Sequence, residues 1–251
     1  MLPRMSVDAT SRVRWAAALL LATGLAHAGP PLLTNDPDTP GPGAWEINLA
    51  ATGSHSPSGW DIDAPDVDLN RGVGERVQLS LHLPWAHARE PDGGWQSGWG
   101  AAEFGLRWRF LDQGEDGWKV AVQPQWISAF SHAAQRRGLA AQHAEWVLPL
   151  QGSHPLGNVD VVMEIARHVV AQDADTWQAG VFADAPCRAQ LHCLVELNTT
   201  WDGGARTALN LGAVKAVNRH LNLLGSAGTE ITGPATERSR FLFYAGAQLL
   251  L

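Results

Sequence analysis

From Trp45 to Leu251 the chain repeats one pattern, with apolar side chains at every second position and polar or charged ones between them, in runs broken by glycine, proline and acidic residues. Trp45, Ile47 and Leu49 alternate with Glu46, Asn48 and Thr52. Val77, Leu79, Leu81 and Leu83 alternate with Gln78, Ser80 and His82, and Phe104, Leu106, Trp108 and Phe110 with Glu103, Gly105, Arg107 and Arg109. Later stretches repeat it: Trp118, Val120 and Val122 against Lys119, Ala121 and Gln123, Val159 to Ile165 against Asp160 and Glu164, Cys193 to Leu197 against His192, Glu196 and Asn198. A period of two puts successive side chains on opposite faces of a strand, and the period of an amphipathic helix is sustained nowhere. The pattern predicts twelve strands, at residues 43–54, 62–71, 76–87, 99–111, 117–129, 141–151, 157–170, 174–184, 190–200, 205–216, 220–230 and 239–251.

Such alternation is shared by a soluble sandwich, whose apolar face is the core, and a membrane barrel, whose apolar face meets lipid. Three features favour the barrel. The chain has 12 tryptophans and 1 tyrosine, and Trp45, Trp60, Trp85, Trp95, Trp99, Trp118, Trp146, Trp177 and Trp201 fall near predicted strand ends. So many indoles would crowd one small core, but they suit aromatic girdles at two interfaces. The final residues alternate Phe241, Phe243, Ala245, Ala247, Leu249 and Leu251 against Leu242, Tyr244, Gly246, Gln248 and Leu250. A strand ending in this way needs a partner, and closure against the first strand supplies one. An even strand count brings both ends of a barrel to the periplasmic side, with inner turns at 72–75, 112–117 and 152–157 and outer loops at 88–98, 131–140 and 232–238. The expected fold class is all-β, a single closed antiparallel transmembrane barrel of about twelve strands over residues 44–251.

Ahead of the strands, Arg4, Arg12 and Arg14 precede an apolar run from Trp15 to Leu25 and the triplet Ala26-His27-Ala28. Charge, apolar core and small-x-small cleavage site in that order describe a secretory signal peptide over residues 1–28. The apolar run is far short of the roughly 20 residues a spanning helix needs. Residues 29–43 follow as a Pro/Gly-rich periplasmic leader. Its steps Asp36-Pro37, Thr39-Pro40 and Gly41-Pro42 keep the backbone extended and bar ladder pairing. The segment is expected to run along the periplasmic rim, and a plug or gate with Asp36 and Asp38 facing the lumen is the alternative.

Loss of residues 1–28 removes three arginines and one aspartate from 18 basic and 25 acidic residues, leaving 15 and 24. An acidic chain lacks the clustered basic surface that phosphate backbones require, so no nucleic-acid partner is expected. Cys187 and Cys193, in an exported chain, are spaced either to close a small hairpin loop by a disulfide or to stay reduced.

Two stretches carry a resemblance. Leu33-Thr34-Asn35-Asp36-Pro37-Asp38-Thr39-Pro40-Gly41-Pro42-Gly43-Ala44-Trp45-Glu46-Ile47-Asn48 and Asp68-Leu69-Asn70-Arg71-Gly72-Val73-Gly74-Glu75-Arg76-Val77-Gln78-Leu79 resemble the family named for the phenol-degradation meta-pathway, a group of transporter-like outer-membrane proteins. The strand-rich remainder fits as well, so the resemblance covers most of the chain after residue 28. It implies a barrel of the Gram-negative outer membrane, embedded in outer-membrane lipids, through which small molecules, aromatic or hydrophobic ones among them, pass by diffusion. It brings no catalytic residue. The last strand also resembles the signal read by the barrel-assembly machinery, with Leu251 where a phenylalanine is usual.

With the apolar face on lipid, the polar face lines an enclosed lumen that collects Glu46, Asp66, Asp68, Asn70, Gln78, His82, Glu103, Arg107, Arg109, Lys119, Gln123, Glu145, Asp160, Glu164 and Glu196. Both signs of charge are present. They describe either a channel selective for a small solute or an ion-pair network that fills an occluded structural or adhesive barrel. Ser153-His154 with Glu164 are the ingredients of an outer-membrane hydrolase, but no nucleophile elbow surrounds Ser153 and no His-Glu-x-x-His or Cys-x-x-Cys spacing occurs. No enzyme activity, metal or cofactor is expected.

Overall fold

The computed structural model describes residues 30–89, 93–171 and 173–251, so the expected signal peptide lies outside the described residues. Among these, the alternating runs form fourteen strand segments and one short helix: β1 (Trp45–Ser56), β2 (Gly59–Val73), β3 (Val77–Arg89), β4 (Trp95–Trp99), β5 (Ala101–Asp112), β6 (Lys119–Val122), β7 (Gln125–Ala129), α1 (His132–Arg136), β8 (Glu145–Leu156), β9 (Val159–Val170), β10 (Thr176–Arg188), β11 (Leu191–Trp201), β12 (Ala205–Asn218), β13 (Leu221–Glu230) and β14 (Phe241–Leu250). Segments β4 and β5 are two halves of one wall strand, since β3 pairs with β4 through Trp85–Arg89 and with β5 through Val77–His82. Segments β6 and β7 are halves of another, broken at Pro124, which has no N–H to give the ladder. Its carbonyl still accepts from the Leu106 N–H at 3.1 Å.

Twelve antiparallel wall strands result, and they close. Strand β1 pairs with β14 from Glu46↔Leu250 to His55↔Phe241. Trp45 and Leu251 exchange both backbone hydrogen bonds, at 2.8 and 2.9 Å. Closure leaves no row of unpaired amides, the condition that lipid imposes on any strand crossing it. A twelve-residue strand such as β1, tilted as barrel strands are, rises about 30 Å, the thickness of a bilayer's hydrocarbon core.

The two faces are inverted relative to a soluble domain. Leu211 is 62% exposed and Leu49 53%, whereas Gln151 is 0% and Glu196 1%. A soluble sandwich would show the reverse. Outward-facing indoles gather in two belts: Trp45, Trp108 and Trp118 near the end that carries the termini, and Trp60, Trp85, Trp95, Trp99, Trp126, Trp146, Trp177 and Trp201 near the other. That placement suits amphipathic rings at two membrane–water interfaces.

Most strand ends fall a few residues from expectation; β4 (Trp95–Trp99) takes up much of the outer loop expected at 88–98, and β10 runs on to Arg188. Strand β8 runs on to Leu156, so the inner turn expected at 152–157 shrinks to Gly157 and Asn158, with Gly157 at φ +67°. Pro155 is tolerated there because it lies beyond the last β8 residue paired with β6. Gly72 belongs to β2, and the turn is carried by Gly74, at φ +64°.

The largest departure is residues 30–43. They do not follow the rim; they enter the barrel. Extended by its prolines and unable to join a ladder, this segment satisfies its polar groups on inward-facing side chains of the wall. Leu32 packs against Val162, Phe182 and Leu194 with Val214 beside them, an apolar patch on the inner surface of β9 to β12. At the opposite end of the barrel the connection between β7 and β8 turns inward, seating Ala134, Leu139 and Ala140 against Ala86, Ala88, Ala101 and Ala129. Small inward side chains on β3, β5 and β7 leave room for it.

Candidate functional site

The site is the lumen, and the plug segment organises it. Glu196, on β11, accepts two successive backbone N–H groups of the segment, from Thr34 at 2.6 Å and Leu33 at 3.1 Å, and a further bond from the Asn210 side chain at 2.7 Å. The carboxylate is thus satisfied by neutral donors alone, which makes its burial tolerable. Gln178 donates to the Leu33 carbonyl at 3.4 Å, Asn198 to the Thr34 hydroxyl at 3.3 Å, and Ser226 to the Pro31 carbonyl at 2.5 Å. Two glycines make room for the segment. A side chain at Gly180 would begin 1.9 Å from the Thr34 hydroxyl, and one at Gly72 only 2.1 Å from the Gly41 carbonyl.

Arg107, on β5, is the buried cation at the centre. Its guanidinium donates to Gln123 at 3.0 and 2.7 Å, to the Asp38 carbonyl at 2.6 Å and to Gln78 at 3.4 Å. Asp36 stands 4.0 Å away. Gln151 continues the network, donating to Gln123 and to Glu164, each at 2.9 Å. Nearer the mouth that carries the end of β14, Asp38 is clamped between Lys119 and Arg109, both at 2.8 Å. The Asp36 carboxylate is half exposed and lines the cavity inside the barrel. Burial inside the barrel pushes its carboxyl above the usual carboxylate range, with Arg107 pulling the other way.

Of the residues the sequence assigns to the lumen, Asp66, Asn70, Gln78, His82, Glu103, Arg107, Gln123, Glu164 and Glu196 are buried inside the barrel. Glu46 and Asp68 line a cavity of about 260 Å³ between the plug and the wall. Arg109 and Lys119 hold the plug at its mouth. Asp160 and Glu145 stand apart from this centre: Asp160 is exposed at the start of β9, and Glu145 pairs with His168 at the start of β8. Ser153 and His154 are separated by strand alternation. Ser153 shares the inward parity of Gln151, while His154 stacks on Trp118 at 4.8 Å, so the two do not form a nucleophile and base pair. The sulfurs of Cys187 and Cys193 are joined at the β10–β11 turn, away from the lumen network. Sequence reasoning missed Gln125, Gln151, Gln178, Asn210 and Tyr244, all at inward parity, and the apolar inner patch. Val162 between Val161 and Met163, Phe182 between Val181 and Ala183, and Leu194 between Cys193 and Val195 were its traces, and an unbroken apolar run hides which member points inward.

A closed barrel with an apolar outer belt and a polar, plugged interior is the architecture of outer-membrane β-barrels. Among solved structures, the chain is similar to the COG4313 outer membrane channel from Pseudomonas putida F1, at 13% identity over 84% of this chain and 96% of that one, with a TM-score of 0.63. It is also similar to the KdgM porin, at 8% identity, 82% and 98% coverage and a TM-score of 0.57, and to the NanC porin, at 7% identity, 82% and 99% coverage and a TM-score of 0.53. These likenesses concern the fold. No protein-family model and no curated protein matches the chain.

Proposed function

We propose that this protein is a channel of the Gram-negative outer membrane, delivered there by a cleaved signal peptide and the barrel-assembly machinery, through which small molecules diffuse. The observation that carries the reading is the lumen itself. The barrel encloses a cavity lined by polar groups, and its occupant is a segment of chain outside the wall ladder, held by side-chain contacts, not a filled apolar core. The fold it shares with a channel and two porins supports the same reading. The apolar patch around Leu32, with the cavity's Leu33 and Leu242, favours solutes with an aromatic or hydrophobic part. The two sequence motifs point the same way through their resemblance to transporter-like proteins of aromatic catabolism.

The test is conductance. Reconstituted in planar bilayers, the protein is expected to give small single-channel currents, and a variant lacking residues 30–42 larger ones. No current from either, with no solute uptake by liposomes carrying them, overturns the channel. A second reading, a permanently occluded structural barrel, is favoured by how fully Glu196 and Arg107 are satisfied by the plug. It predicts that the native protein stays silent under every condition while the deletion variant conducts.

A further inference from the structure

We infer that the cavity beside the plug is a binding site for an organic ammonium ion, with Glu46, Asn48 and Asp68 as its acceptors. The plug leans on β5 and on β10 to β13, and this leaves space against β14, β1 and β2. The carboxylates facing that space are unequally matched. Asp66 is paired with His82, and Asp36 faces Arg107. Glu46 and Asp68 have no cation within ion-pair distance among the described residues. The basic residue nearest Asp68 along β2, Arg71, lies over the Trp45 ring on the outer face, 4.8 Å from its centre.

What these two carboxylates share is the amide of Asn48, which donates to Glu46 at 3.2 Å and to Asp68 at 3.1 Å; Asn70 donates to Asp68 at 2.7 Å. Both hydrogens of Asn48 are thereby committed to the two carboxylates, which leaves its oxygen as the unmatched atom of the amide. Asn48 is 2% exposed, and that oxygen has no hydrogen-bond donor among the described residues. A buried acceptor without a donor is disfavoured by itself, and between two uncompensated carboxylates it asks for a cation that carries N–H groups. Tyr244, on β14 beside β1, has a buried hydroxyl equally without a partner among the described residues. An ammonium group supplies positive charge and three donors to such a set, while Leu33 and Leu242 offer its carbon skeleton an apolar wall. A metal ion suits the site less well, since among the described residues no three His, Cys, Asp or Glu side chains converge as a metal ion requires.

The inference rests on the passage proposed above for the solute's route, not for its binding. The full-length barrel in detergent micelles is titrated calorimetrically with 2-phenylethylammonium chloride, with 2-phenylethanol as the neutral counterpart and 3-phenylpropionate as the anion. The ammonium is expected to bind at least about tenfold more tightly than the alcohol, and the anion most weakly. That preference is expected to vanish in Glu46→Gln/Asp68→Asn, whose folding is checked by heat-modifiable gel mobility. Equal affinities of native protein for ammonium and alcohol overturn the site without recourse to any variant. Calcium chloride binding more tightly than the ammonium at this site overturns the organic cation. Conductance without ammonium preference defeats this inference alone; ammonium binding without conductance supports it and defeats passage alone.

Discussion

Glu196 does two things at once, anchoring the plug and remaining a buried charge that needs those very donors. Glu196→Ala removes two charge-assisted bonds to the plug backbone, each contributing about 1.5–3 kcal/mol. The expected outcome is a frequently open channel whose barrel is intact, read as increased single-channel conductance with unchanged gel mobility. Gly180→Leu tests the same contact by steric means, because the added side chain occupies the position of the Thr34 hydroxyl; segment 30–43 is expected to become accessible to proteinase K. Asp36 introduces a pH dependence of defined sign. Its carboxyl is raised by burial in the docked state, so docking is favoured when the group is protonated and weakens as the pH rises through its docked-state value. Conductance is therefore expected to rise from acidic towards neutral pH in the native protein, and Asp36→Asn to flatten that profile.

The plug segment has no regular structure of its own, so its placement depends on three clasps along its length: the apolar one at Leu32, the backbone one at Glu196 and the ionic one at Asp38. They respond differently to conditions. Leu32→Ala is expected to weaken docking by about 2–3 kcal/mol, the low end for a leucine truncated in a packed cluster, with the thermal unfolding of the wall unmoved. Asp38, half exposed, contributes little per pair and is screened by salt. The prolines of this segment were legible as a bar to helix and ladder, and Asp36 and Asp38 as candidates for the lumen. Its entry into the barrel was not, because no local signal in residues 30–43 distinguishes a chain lying on the rim from one held by Arg107, distant in sequence. Gly180 and Gly72 were the available hints, and they read as ordinary strand and turn glycines until the segment that passes them is known.

Taken together, the wall strands follow one rule, apolar outward and polar inward, which holds across the breaks at Gly100 and Pro124 and yields only where the wall receives an inserted segment, at the inner patch of Val162, Phe182 and Leu194 and at the alanines under the β7–β8 connection. A barrel of this kind holds its ladder independently of its contents. Folded protein is therefore expected to migrate anomalously on unheated SDS gels whether or not residues 30–42 are present; unfolding of the deletion variant in mild detergent would show that the plug is part of the structural core.

Fold class, strand number and the inward set around Arg107 follow from local chemistry: alternation assigns each side chain to a face, and the belts of tryptophan tell which face meets lipid. The register that closes β1 on β14, the descent of the plug, and the partition of charged residues into those that clasp it and those that line an open cavity follow from contacts between distant parts of the chain. Each of those contacts pairs residues whose types are common and whose spacing carries no period. Only the closed wall, by setting which inward side chains share a level, decides that Glu196 meets the backbone of Leu33 and Thr34 while Glu46 and Asp68 face open space.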